Sequence, residues 1–162
     1  MKTLLIMRHG KSSWKDSNLA DHERPLKKRG RKDTERIAEL LKDKKLVPGV
    51  ILCSTALRAR QTAEAFVDEV DFEGEIEYLD TFYMAEPEAF FERLQTLQDV
   101  ERVMIIGHNP GLESLLQILA DEIKALPTAA VAQLSLDISS WQDLNLNTRG
   151  KIKHLWLPRE IG

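Results

Sequence analysis

Two histidines and two arginines stand at matching places in this chain, each just beyond a run of hydrophobic residues. Arg8-His9-Gly10 follows Thr3-Leu4-Leu5-Ile6-Met7. Arg58 lies in Ser54-Thr55-Ala56-Leu57-Arg58-Ala59-Arg60-Gln61-Thr62-Ala63, after the run from Val50 to Cys53. Gly107-His108-Asn109-Pro110-Gly111 follows the run from Val103 to Ile106. Imidazoles grouped with guanidinium ions suit phosphoryl transfer, whose main task is to stabilise charge spread over nonbridging oxygens. Arginine does this with a permanently charged, planar fork of donors. Arg8 and Arg58 are therefore the candidate clamp, with Arg58 placed in a first helical turn that also attracts anions. A histidine nucleophile must be neutral, and neighbouring arginines favour the neutral ring. His9 is the candidate nucleophile, one ring nitrogen donating to a backbone carbonyl and the other facing phosphorus. His108 is expected across the phosphate, donating to one of its oxygens.

Taken alone, Arg8-His9-Gly10 reads first as a partly buried histidine satisfied by a backbone partner; the other two stretches shift that reading. Two imidazoles could instead hold a metal, but no carboxylate or cysteine stands at a spacing that completes a ligand set, so neither metal nor cofactor is expected. Lys11 and Ser12 read equally as the rim of the phosphate site and as a solvated loop. Trp14 reads as a cap on that site or as a packing residue. Arg60 points elsewhere on its helix and reads as a surface residue. His22 and His154 match none of the three stretches and read as non-catalytic. The basic run Lys27, Lys28, Arg29, Arg31, Lys32 reads as a solvated helix face, with an acidic partner or nucleic acid as the alternative.

Buried strands must position these side chains, because ligands gather at the carboxyl ends of strands in α/β sheets. Strands are expected at about 2–8, 50–53, around 76–79, at 103–106, 131–137 and 152–157. Helices are expected from near Pro25 to about 44, at 56–69, from Pro87, and after Pro110. Residues 140–150 read as a hairpin connection. The order β-α-β-α-β-α-β-α-β-β predicts a three-layer α/β/α sandwich with a mostly parallel mixed sheet and an antiparallel edge. With 162 residues, 43% hydrophobic and 30% charged, the chain fits one domain over 1–162 with a real core. A formal net charge of -3 gives no expectation of nucleic-acid or membrane binding. Cys53, the sole cysteine, reads as a buried thiol. No run approaches the ~20 apolar residues of a membrane span, and no signal-peptide pattern is seen. A cytoplasmic enzyme is expected.

The three stretches resemble, in the same order, the histidine phosphatase superfamily with its phosphoglycerate mutase-like fold. Arg8-His9-Gly10-Lys11-Ser12, Arg24-Pro25-Leu26 and the short length are most similar to its SixA-type phosphohistidine phosphatases. The resemblance implies metal-independent, two-step transfer: His9 is phosphorylated, then water releases phosphate, with Arg8, Arg58 and His108 forming the pocket. Longer members insert a segment carrying an acid for the leaving oxygen. Here only Asp80-Thr81-Phe82-Tyr83-Met84-Ala85-Glu86 is available. Glu86 is the candidate general acid, against its reading as a helix N-terminal carboxylate. A phosphohistidine bond needs less help from such an acid than an alkyl phosphate does, and a short open pocket admits a protein. The expected function is removal of phosphate from phosphohistidine on a phosphotransfer protein. The alternatives are a phosphatase of small phosphomonoesters and a non-catalytic phosphate-binding module. A mutase is disfavoured by the short segment.

Overall fold

The computed structural model describes residues 1–161. Six strands form one sheet: β1 (Lys2–Arg8), β2 (Val50–Ser54), β3 (Glu75–Leu79), β4 (Arg102–Gly107), β5 (Val131–Leu136) and β6 (Gly150–Trp156). Four helices connect them: α1 (Lys28–Asp43), α2 (Leu57–Val70), α3 (Pro87–Leu94) and α4 (Gly111–Ala120). The strand order is β3-β2-β4-β1-β5-β6. β1, β2, β3 and β4 pair in parallel, while β5 runs antiparallel to both β1 and β6. The sheet is thus mixed and mostly parallel, as the order of hydrophobic runs predicts.

Alternation along the strands divides the core into two layers. Leu4, Ile6, Leu52, Val103 and Ile105 face Phe90 and Leu94 of α3 and Leu112, Leu115 and Leu116 of α4. Their neighbours Leu5, Met7, Ile51, Cys53, Met104 and Ile106 face Ile37, Ala38 and Leu41 of α1 and Ala59, Ala63 and Phe66 of α2. Both faces of β1 and β4 are therefore dry, which explains why these strands read as unbroken hydrophobic runs. Burial pushes the Cys53 thiol pKa up, because the thiolate is disfavoured there.

Three local differences from the sequence reading have physical reasons. α1 starts at Lys28, beyond Pro25, because Ser12 and Leu26 form a two-residue bridge that holds this approach extended. β6 begins at Gly150, two residues earlier than expected, its edge pairing with Leu136 extending the ladder. The polar connection before it carries a 3-10 turn, Trp141–Asp143, whose Trp141 is buried and donates through Nε1 to the Val100 carbonyl.

Candidate active site

Sheet order decides which strand ends meet. β4 lies between β2 and β1, so Ser54, Gly107 and Arg8 finish side by side at the carboxyl ends of these central strands. His9 follows β1 and donates its backbone N–H to the Gly107 carbonyl at 3.1 Å. His108 follows β4, and the two imidazole centroids stand 5.1 Å apart. Arg58 enters from the first turn of α2 and places its Nη2 3.4 Å from Nδ1 of His108. Arg8, His9, Arg58 and His108, expected together from sequence, line one cavity of about 320 Å³. Lys11, Ser12 and Trp14 line it too. A larger hollow of about 520 Å³, between Met1 and Arg149, lies by the opposite end of β1 and has no histidine in its lining.

The loop after β1 is held by several parts of the chain. The Gly10 N–H donates to Oγ1 of Thr62 at 3.0 Å, and that hydroxyl donates to the Arg58 carbonyl at 2.7 Å. Oε1 of Gln61 accepts from the Leu26 N–H at 2.8 Å. Ala129 adopts a left-handed backbone, φ 61°, that aims its N–H at the carbonyls of Arg8 and His9. Gly10 and Gly30 are glycines because of proximity: a Cβ on Gly30 would meet the Lys11 carbonyl oxygen at 2.3 Å, and one on Gly10 the Gly30 oxygen at 2.7 Å.

His9 is 5% exposed, and its Nδ1 lies 2.7 Å from the Gly10 carbonyl oxygen. A carbonyl only accepts, so Nδ1 carries the proton and Nε2 holds a free lone pair. Burial, followed by Arg58, Arg8 and Arg24, lowers the His9 pKa to about 4 against the opposing Gly10 hydrogen bond. Burial, then His9 and Arg58, lowers that of His108 to about 3. Nε2 of His108 meets Oγ of buried Ser54 at 2.7 Å. That hydroxyl also accepts from the Ala56 N–H at 3.2 Å. A guanidinium only donates, so Nδ1 of His108 accepts from Arg58 and the ring proton sits on Nε2, donating to Ser54.

Both arginines are anchored through their terminal nitrogens. Arg8 Nη1 donates to the Leu126 carbonyl at 3.1 Å, and that carbonyl also accepts from Asn109. Glu113 accepts from Asn109 Nδ2 and from the Leu126 N–H, bracing the same corner. Arg58 donates Nη1 to the Asp21 carbonyl at 2.7 Å and Nη2 to the Asp21 carboxylate at 3.0 Å. Among the described residues, the buried Nε of each arginine has no hydrogen-bond partner, leaving donor capacity for an anion.

Asp21, Arg24 and Tyr83 are the residues missed by sequence reasoning. Asp21 sits in a 3-10 turn, accepts from Arg58, Arg24 and the Tyr83 hydroxyl, and has its pKa lowered to about 2, with the Tyr83 hydrogen bond as the largest cause. Tyr83 presents its ring edge to His108 at 5.5 Å. The Arg24 guanidinium lies 3.5 Å from the Trp14 ring centroid. Arg24-Pro25-Leu26 was visible as a motif, but nothing in it showed that Arg24 turns back to the cavity.

Other expected placements are plain. Glu86 is exposed at the start of α3, makes no capping hydrogen bond and does not line the cavity. Arg60 is exposed, near the Tyr78 ring. His22 lies outside the cavity lining, bonded to Thr55 and edge-on to Tyr83. His154 stacks on Trp156. Among the described residues, no three of His, Cys, Asp or Glu gather as metal ligands, and no helix is long and apolar enough to cross a membrane.

Comparison with known proteins fits this geometry. Residues 4–82 match the family model of the histidine phosphatase superfamily, branch 1, a stretch that holds Arg8, His9 and Arg58. An uncharacterized chloroplastic protein of Arabidopsis thaliana is 32% identical over 152 residues, covering 88% of this chain and 70% of its own. A candidate phosphohistidine phosphatase SixA of Agrobacterium tumefaciens superposes with TM-score 0.84 at 28% identity, covering 97% of this chain and 98% of that one. The protein histidine phosphatase SixA complexed with tungstate superposes with TM-score 0.85 at 26% identity, covering 99% of each chain. These superpositions extend past residue 82 and so take in the half of the chain that holds His108.

Proposed function

The chain belongs to the histidine phosphatase superfamily, and on that premise we propose that it is a cytoplasmic, metal-independent phosphatase that removes phosphate from phosphohistidine on a phosphotransfer protein. One observation carries this reading: a buried, uncharged His9 whose Nδ1 proton is held by a backbone carbonyl, with its other nitrogen free beside two arginines. In the first step Nε2 of His9 bonds to phosphorus as the bond to the substrate imidazole breaks. The leaving imidazole takes its proton from solvent. Arg8 and Arg58 donate to the nonbridging oxygens, and once phosphate draws Arg58 away from Nδ1 and Ser54 donates to Nε2, the Nδ1–H of His108 joins them, each such donor contributing on the order of 3 kcal/mol at the transition state. In the second step water attacks the phosphohistidine, and inorganic phosphate leaves as His9 returns.

Two features favour phosphohistidine over a small phosphomonoester. Glu86 does not line the cavity, and Asp21, which does, is an ionised acceptor rather than a proton donor. An imidazole leaving group tolerates that; an alkoxide does not. The rim also carries exposed Trp14 and Met84, at 72% and 51%, which suit contact with a protein. The SixA protein complexed with tungstate, a tetrahedral oxyanion, supports an oxyanion as ligand of this chain too.

Rapid acid-free quenching during turnover of a radiolabelled phosphohistidine substrate tests the proposal. Label is expected on wild-type His9 as acid-labile phosphate, and none on His9→Ala, with turnover insensitive to chelator. Wild-type turnover without labelled enzyme would overturn the nucleophile. A kcat/KM higher for phosphomonoesters than for phosphohistidine would transfer the substrate to the small-molecule class.

A further inference from the structure

Three hollows adjoin one another through shared lining residues. The first is the histidine–arginine cavity. The second, sharing Trp14 with it, is lined by Lys15, Lys27, Lys28 and Arg29 and by no acidic residue. The third shares Lys28 and Arg29 with the second and adds Lys32, Arg36 and Arg159, against Asp33 as its single acid. The chain as a whole carries a net charge of -3, so this concentration of positive charge is local.

The basic track works against its own helix. Lys28, Lys32 and Arg36 recur at every fourth position, which puts like charges next to one another along α1. The first turn of α1 holds no acidic residue, so its lysines and arginines oppose the helix dipole. Acids one turn away offset part of this charge, as Asp33 does for Arg29 at 3.9 Å, but Lys28 has no acid three or four positions along the helix. Arg31, on another side of α1, has such partners in Glu35 and Asp68. Among the described residues Lys27, Lys28, Lys32 and Arg36 form no ion pair, and all four are exposed. A sequence that gives up helix stability at one face marks that face for another task.

We infer that this track docks an acidic protein surface next to the phosphohistidine, so that the partner's Asp and Glu side chains lie along α1 while its phosphate enters the cavity. The inference rests on the phosphatase reading and names the surface chemistry of its substrate. Charge complementarity selects the occupant. Single-stranded nucleic acid, the other polyanion, binds through open aromatic platforms, whereas the Trp14 ring is covered on one face by Arg24.

The test uses the full chain with three probes: free phosphohistidine, a phosphohistidine peptide flanked by Asp and Glu, and the same peptide flanked by Ser. Wild type is expected to show a KM for the acidic peptide about tenfold below that for the neutral one. Lys28→Glu, Lys32→Glu and Arg36→Glu combined should abolish that difference, with kcat and the hydrolysis of free phosphohistidine unchanged. The reversal at residue 28 favours the helix dipole, while the three acids repel one another as the three bases did, so the melting temperature should change little. Anisotropy of the dye-labelled, unphosphorylated acidic peptide reads docking without turnover and should weaken by a similar factor. Equal KM values in wild type, or a preference that survives the triple variant, overturn the docking inference. Tighter binding of single-stranded DNA than of the acidic peptide through the same lysines also overturns it. Lysine-dependent peptide binding without hydrolysis of any probe overturns the phosphatase reading alone.

Discussion

At pH 5 an unperturbed histidine, with a pKa near 6.5, is only ~3% neutral. Burial and three arginines lower His9 to about 4, which leaves it ~90% neutral at that pH. The structure therefore predicts about thirtyfold more nucleophile at pH 5 than an exposed histidine would supply. Carbon–proton spectra of the ring Cε1–H groups, recorded from pH 3 to 8 and assigned with His9→Ala and His108→Ala, read the two titrations directly. Single-turnover formation of phosphoenzyme, corrected for ionisation of the substrate, should be nearly flat from pH 7 to 5. A ring midpoint between 6 and 7, or a thirtyfold fall in phosphoenzyme formation, would refute the electrostatic account of the site. The same shifts bear on stability. Below pH 6.5 the unfolded chain protonates both rings while the folded chain leaves them neutral, so the unfolded state binds more protons. Stability should therefore fall as pH drops from 6.5, with the loss complete below about 4 for His9 and about 3 for His108.

Three substitutions probe the surrounding scaffold. Gly30→Ala puts a methyl group 2.3 Å from the Lys11 oxygen and 2.7 Å from its nitrogen; urea unfolding should show a loss of about 1–3 kcal/mol with slower turnover, and retention of both would mean the loop yields freely. Ser54→Ala removes the partner of His108 Nε2; kcat should fall about tenfold, the equivalent of one ordinary hydrogen bond, with KM little changed and recovery in Ser54→Thr. An unchanged kcat in Ser54→Ala would remove Ser54 from the account. Glu86→Gln should hold turnover within about twofold, since surface changes away from special features have small effects. A large loss confined to phosphomonoesters with poor leaving groups would instead establish Glu86 as the acid.

The strand ends were readable because burial on both faces writes an uninterrupted hydrophobic run, and the polar residue that breaks it marks the end. Val103 to Ile106 followed by His108 is such a case, as is Leu4 to Met7 followed by His9. The layering also followed from the alternation of strands and helices. Strand order did not, because nothing in a run such as Val50 to Cys53 states that β4 will be its neighbour. Asp21 and Tyr83 were hidden for a related reason. They lie in or beside 3-10 turns without periodicity, and they matter only because the fold brings two distant turns over Arg58. Gly30 is a poor helix former inside α1, and only the closeness of Lys11, which the sequence does not show, explains it.

β1 is paired on both sides, with β4 and β5, and leads straight into His9, the proposed nucleophile. Amide hydrogens along it should exchange only when the whole molecule unfolds, whereas those of the exposed Asp16–Ala20 loop should exchange through small local openings. The strand that carries His9 and the loop that follows it thus belong to separate units of local stability. The approach to the cavity can therefore be remodelled without loosening the strand end that holds the His9 ring.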